Sequence, residues 1–311
     1  VKYLIIFAQF VNKGKLNSIY ANMKECISRL KSGAWLTLLL AFSLWLPSGA
    51  ATYPVSNLND SGPGSFRDAL IQANATSTVV GSPHLIDIQV SGTLTLQSLL
   101  PTVFNYTNIQ GPATGLFTLN GNVQFQVLKI ADPNTLGDLV VNMSNLQILN
   151  GLGSGGGLFI DNATVNINNC QISQNLGSQN TGAGILINAN SNVTMTNTTV
   201  NNNINSAGIG GGLAISGSGS SLNITNCTFS NNVSGVGGAI DVIVPATITI
   251  NSSTIANNIS QGNGGGIYLN AGTLTINNCL IANNNAQIVS DTGNDIRVNP
   301  DSTQDRIRST Q

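Results

Sequence analysis

Asp132 and Asp138, with Lys129 just ahead of them, form the closest group of charges in the middle of this 311-residue chain. Two carboxyl groups roughly 5–10 Å apart can hydrolyse a glycosidic bond, and a base beside carboxylate-held Ca²⁺ can remove a proton next to a uronate. Asp132-Pro133-Asn134 reads as a turn, which leaves the geometry of that group open. Across residues 155–287 the only charged side chains are Asp161 and Asp241, and they fall in different columns of a repeat described below, so they make no acid pair. Each reads as a solvated outward residue. His84, the single His, follows Pro83 and reads as a loop residue rather than a base. Asp87 lies between Ile86 and Ile88 and points outward on a strand, and Arg67-Asp68 reads as an ion pair on a short helix. Cys170, Cys227 and Cys279 occur without any Cys-x-x-Cys, so a zinc site is disfavoured. No catalytic, cofactor-binding or metal-ligating residue is assigned from the sequence, and no cofactor is expected.

A repeat positions all of these groups. Gly155-Gly156-Gly157-Leu158, Gly182-Ala183-Gly184-Ile185, Gly210-Gly211-Gly212-Leu213, Gly237-Gly238-Ala239-Ile240 and Gly264-Gly265-Gly266-Ile267 recur every 27 or 28 residues. Within each unit apolar residues alternate with polar ones, as a strand with one buried face requires. The columns are Leu158, Ile185, Leu213, Ile240, Ile267; Ile160, Ile187, Ile215, Val242, Leu269; Val165, Val193, Leu222, Ile248, Leu274; Ile167, Met195, Ile224, Ile250, Ile276; and Ile172, Val200, Phe229, Ile255, Ile281. The pattern predicts an all-β fold, a right-handed single-stranded parallel β-helix (solenoid) with three strands per coil and a triangular cross-section.

Two polar columns mark the turns: Asn169, Asn197, Asn226, Ser252, Asn278 and Asn175, Asn203, Asn232, Asn258, Asn284. Asn tolerates a left-handed bend and can hydrogen-bond along the stack, so a structural role is expected of both. The three Cys share a column with Thr198 and Ser253, two coils or about 10 Å apart, too far for a disulfide. Phe159 and Tyr268 share the outward column of the first strand with Leu186, Ala214 and Asp241, an aromatic-poor surface for gripping sugar rings.

Domain boundaries follow. Residues 1–50 read as an upstream extension and an export signal starting at Met23, with Lys24, Arg29 and Lys31 before the apolar run Ala34–Leu46 and a cut near Ala50/Ala51. Residues 51–290 form the β-helix, with a cap at about 55–76, irregular coils at about 84–150 and regular coils at about 155–287. In the cap Phe66, Leu70 and Ala73 share one helical face over the open first coil. In the irregular coils Ile86, Ile88, Val90, Leu94, Leu96, Phe117, Leu119, Val123, Phe125 and Val127 continue the alternation. Residues 291–311 read as a polar tail, frayed from Asp301 to Gln311. From residue 51 on there are five Lys or Arg against eleven Asp, a net charge of about −6, which disfavours nucleic acid and anionic membranes as partners.

Gly237-Gly238-Ala239-Ile240 and Phe229-Ser230-Asn231-Asn232 resemble the GGAI and FxxN repeats of polymorphic outer membrane proteins. Asn59-Asp60-Ser61-Gly62-Pro63-Gly64-Ser65-Phe66-Arg67-Asp68-Ala69 is similar to the entrance segment of bacterial secreted proteins with pectate-lyase-like β-helices. The resemblance covers most of residues 55–285 and implies fold, export, surface exposure and a bacterial source. The translocator barrel that ends polymorphic membrane proteins has no counterpart after residue 290. The expected function is a secreted or cell-surface, non-catalytic adhesin, surface-layer component or binding scaffold. It is expected to act as a monomer on surface glycans or other cell-surface components, with no membrane span after signal cleavage. The alternative is a polysaccharide lyase or other carbohydrate-active enzyme.

Overall fold

The computed structural model describes residues 49–76, 78, 81–134, 137–178, 181–287, 294–298 and the strand Arg306–Thr310. Apart from Gly49 and Ala50, the expected leader lies outside the described residues. From Thr52 onward the chain winds as a solenoid whose strands pair in parallel with those of the coils before and after. Every predicted inward column is realised in register. Leu158 faces Ile185, which faces Leu213, then Ile240 and Ile267. Val165, Val193, Leu222, Ile248 and Leu274 stack in the same way, as do Ile172, Val200, Phe229, Ile255 and Ile281. Most of these side chains are buried, and together they make one continuous core.

The cross-section has four faces rather than three: the described strands fall into sheets of ten, seven, eight and six. Face 1 carries the strands that follow the glycine motifs (Leu158–Asp161, Ile185–Ile187, Leu213–Ile215, Ile240–Val242, Ile267–Leu269), face 2 the long Asn/Thr strands, and face 3 the short strands such as Gln171–Ser173. Face 4 joins Leu152–Gly153, Leu176–Gly177, Ile204–Ile209, Val233–Val236, Ile259–Ser260 and Asn285–Ala286. Its strands are short and rich in Gly, Ser and Asn, with no alternating apolar set, so a period-two search does not find them.

The bends use left-handed backbone. Asn169, Asn197, Asn226, Ser252 and Asn278 all have φ between 47° and 54°, as the column predicted for the turn after face 2 requires. At the next corner the left-handed residue is the one before the predicted Asn: Gln174, Asn202, Asn231, Asn257 and Asn283. That arrangement frees Asn175, Asn203, Asn232, Asn258 and Asn284 to point inward. Gly237 illustrates the third device: its φ is +62°, and a Cβ there would lie 2.5 Å from the Ile240 carbonyl oxygen.

At the N-terminal end β1 (Thr52–Val55) pairs with β2 (His84–Ile88), and α1 (Phe66–Ala75) lies between them in sequence. Ser65 caps α1, its Oγ accepting from the Asp68 amide at 3.1 Å. Phe66, Ala69, Leu70 and Ala73 are buried, which adds Ala69 to the predicted face, and the Phe66 ring lies 5.9 Å from that of Phe117. In the irregular coils Ile86, Ile88, Leu94, Leu96, Phe117, Leu119 and Val127 are buried as expected. Val123 is not: it sits in a turn with φ 54° and is exposed, and the strand that follows is Leu128–Ala131, with Leu128 and Ile130 inward. At the other end, Ile296–Val298 pairs with Ile267–Leu269, and Arg306–Thr310 pairs with Thr273–Asn277. The segment read as a polar tail therefore adds a strand to face 1, and the part of it read as frayed adds one to face 2.

Candidate functional site

The outward column of face 1 gathers more chemistry than any other row of the solenoid. Pairing aligns Lys129, Phe159, Leu186, Ala214, Asp241, Tyr268 and Arg297. Lys129 and Arg297 extend the column at both ends, which sequence reading missed because their strands lie outside the five regular repeats. The Lys129 ammonium lies 5.2 Å from the Phe159 ring centroid, a cation–π contact.

Asp241 is not the solvated residue its polarity suggests. It is 0 % exposed, and neither carboxylate oxygen has a hydrogen-bond partner. The preceding glycine turn crowds it: a Cβ on Gly237 would lie 2.7 Å from the Cβ of Asp241. Burial raises the Asp241 carboxyl well above the usual carboxylate range, while the Val242 amide, short of hydrogen-bond geometry, pulls weakly the other way. Asp161 is half-buried, and its Oδ1 accepts from Asn188 Nδ2 at 3.1 Å. The two carboxylates stand on strands three coils apart, roughly 14 Å along the axis. That is too far for an acid pair.

The Asp132 and Asp138 group has a member the sequence did not flag. Tyr106 lies close to Asp138 and Asp132; burial, then the neighbouring Asp138 carboxylate, then the charge of Asp132 raise the Tyr106 hydroxyl above its ordinary value. A phenol held protonated in this way donates and is not a base near neutral pH. Asp132 is buried in a turn: its Oδ1 accepts from the Asn134 amide at 2.8 Å, and its Oδ2 has no hydrogen-bond partner. Lys129, on the strand before it, points out to Phe159.

Other candidates have structural partners. His84 is a buried strand residue rather than a loop residue: its Nδ1 accepts from the Ala51 amide at 3.2 Å, and its Nε2 lies 2.8 Å from the Thr76 carbonyl. Arg67 pairs with Asp60 at 2.8 Å, not with Asp68, and also donates to the carbonyls of Ser98 and Leu99. Asp68 instead accepts from the Gly64 amide and from Gln72. The reason is position: Asp68 faces its own helix N-terminus, whereas Arg67 reaches across to the loop after Thr95. Asp87 alternates outward as expected and accepts from Gln89 at 2.8 Å.

Cys170, Cys227 and Cys279 are free thiols. Burial raises the Cys170 thiol to about 11 and pushes Cys227 up as well. Among the described residues, no group of three or more His, Cys, Asp or Glu is placed to hold a metal ion. None of the described helices is long and apolar enough to cross a membrane.

The outward rows of faces 2 and 3 are largely amide and hydroxyl. On face 2 Asn166 donates to Asn142 at 2.7 Å and Asn142 to Asn108 at 2.6 Å; on face 3 Thr118 donates to Gln147 at 2.8 Å and Gln147 to Gln171 at 3.0 Å. Outside face 4 runs an open cleft lined by Ser206, Ala207, Gly208, Ile209, Gly235, Val236, Gln261 and Gly262, with no charged side chain. Sequence reading could not place it, since the strands that form it were themselves not found.

Two comparisons with known proteins bear on this geometry. The family described as "Right handed beta helix region" matches residues 134–302. No curated protein matches the chain.

Proposed function

The chain belongs to the right-handed β-helix family, and we propose that it is a secreted or cell-surface binding scaffold rather than an enzyme. One observation carries the reading. The two carboxylates of the regular coils stand three coils apart, and between them the outward rows of faces 2 and 3 and the turn that joins them carry uncharged amides and hydroxyls, several bonded along the axis: Thr196 donates to Asn168, Ser221 to Asn192 and Asn226 to Asn197. Side chains repeated at about 4.8 Å offer a periodic set of donors and acceptors, suited to an extended polar ligand such as a surface glycan. The net negative charge from residue 51 onward turns nucleic acid away. Export follows from the leader pattern at Met23–Ala50, and a bacterial source from the repeat resemblance.

The competing reading, a polysaccharide lyase or other carbohydrate-active enzyme, draws on Lys129, Tyr106, Asp132 and Asp138. A glycan and cell-surface array and a uronate lyase assay, run on one purified sample, separate the two. Retention on a glycan or cell surface without unsaturated product supports the scaffold. Product release without retention overturns it.

A further inference from the structure

The fold begins at one residue. Gly49 and Ala50 are exposed, and a Cβ added at Gly49 meets nothing within 4 Å. Ala51 is tied in twice: its carbonyl accepts from the Leu85 amide at 2.9 Å, and its nitrogen donates to His84 Nδ1 at 3.2 Å. From Thr52 each residue of β1 pairs with β2.

His84 is set up as an acceptor. It is fully buried, and the Tyr53 ring packs against it edge-on at 5.2 Å. The Thr76 carbonyl 2.8 Å from Nε2 can only accept, so Nε2 carries the hydrogen and Nδ1 presents its lone pair. That lone pair faces the nitrogen of Ala51, the residue before which the small-residue pattern Ser48-Gly49-Ala50 places the cut.

We propose that His84 is the receptor for the α-amino group created when the segment ahead of Ala51 is removed, so that the solenoid seats its own processed N-terminus. This rests on the reading that the chain is exported and cut at Ala50–Ala51. In the cut, a peptidase hydrolyses that bond: water gives its OH to the Ala50 carbonyl carbon, Ala50 leaves as a carboxylate, and the Ala51 nitrogen takes up protons to become an ammonium. One ammonium hydrogen keeps the bond to Nδ1, now charge-assisted and stronger than the amide bond it replaces. Ala51 is half-buried, which leaves the other two hydrogens a path to water. The seated terminus then anchors β1 at the open end of the stack.

The test uses the full chain expressed in a secreting host. N-terminal sequencing of the exported product should read Ala51-Thr52-Tyr53. Its α-amine should acylate roughly tenfold or more slowly in the native protein than in denaturant, because reaction requires local opening. The exposed ε-amine of Lys129, the one other amine after the cut, serves as the internal reference. His84→Phe, which keeps the ring and removes the acceptor, should restore fast labelling; if it fails to fold, His84→Leu, which also lacks an acceptor, takes its place. An α-amine that labels natively as fast as in denaturant overturns the receptor while leaving export standing. A retained leader overturns the export reading, and a different first residue overturns the cut at Ala50–Ala51. The receptor is then decided on a full chain with a site-specific protease sequence replacing residues 45–50 and cut after folding, where protection supports it and fast labelling refutes it.

Discussion

Asp241 sets the first prediction at the scale of single residues. Its carboxyl is raised above the ordinary value in the folded state, so the folded protein holds that proton more tightly than the unfolded chain does. The stabilisation is fully present below the unfolded value near 3.8 and is lost as pH rises through the folded one. Through this residue, stability should therefore climb as pH falls from neutral toward 4, and Asp241→Asn should raise the melting temperature at pH 7 and flatten that slope; an unchanged slope would show that the residue is solvated. The thiols give a second prediction. With Cys170 raised to about 11, its thiolate is on the order of one part in a thousand at pH 8, so thiol reagents should react slowly with the native protein. In denaturant Cys170, Cys227 and Cys279 should all react without prior reduction, and a mass showing a disulfide among them would break the coil register. The columns of these residues were legible in the sequence; the burial of Asp241 and of His84 was not. Asp241 sits at an outward position and reads as exposed until the crowding of Gly237 is seen; His84 shares the inward side of its strand with Ile86 and Ile88, but following Pro83 it reads as a loop residue.

Among the elements, the inward Asn row does the most to fix the coils. Asn175, Asn203, Asn232 and Asn258 each donate one amide hydrogen to the Oδ1 of the next, at 2.8–3.0 Å. Each donates the other to a carbonyl of the previous coil, such as Val200 for Asn232. Each of these Oδ1 atoms accepts a backbone amide, and those of Asn203, Asn232 and Asn258 accept the preceding side-chain amide as well, so every polar valence of those three buried amides is used. Asn284 closes the row on Asp295, whose Oδ1 accepts both its Nδ2 and its backbone amide. Asn232→Ala strands the side-chain and backbone N–H groups of Asn203 and should cost about 3 kcal/mol or more in denaturant unfolding, several times the effect at exposed Asn226. Asp295→Asn keeps an acceptor and should cost less than Asp295→Ala; equal losses would mean that Asp295 does not terminate the row. The Asn column stood out from its repeat, whereas Asp295 did not. It lies eleven residues past Asn284, beyond the last glycine motif, where spacing no longer predicts register.

Over the whole molecule, stability comes from neighbouring coils burying each other's apolar row, so one inward charge is felt by two coils. Ile224→Asp, at a fully buried position, should abolish cooperative unfolding, while substitution of exposed Thr225 should stay within about 0.5 kcal/mol of the parent. Equal tolerance would remove the inward and outward assignment. Three faces were legible because apolar alternation specifies them; the fourth, with the open cleft beside it, was not, because backbone pairing rather than side-chain burial defines it. The function proposed for this solenoid is that of a binding surface rather than a catalytic centre. Its most direct test is release of unsaturated product from polygalacturonate, with and without Ca²⁺, by the parent and by a Lys129→Ala, Asp132→Ala double variant. No product distinguishable between the two is expected; robust Ca²⁺-dependent release by the parent that vanishes in the double variant would make the solenoid an enzyme.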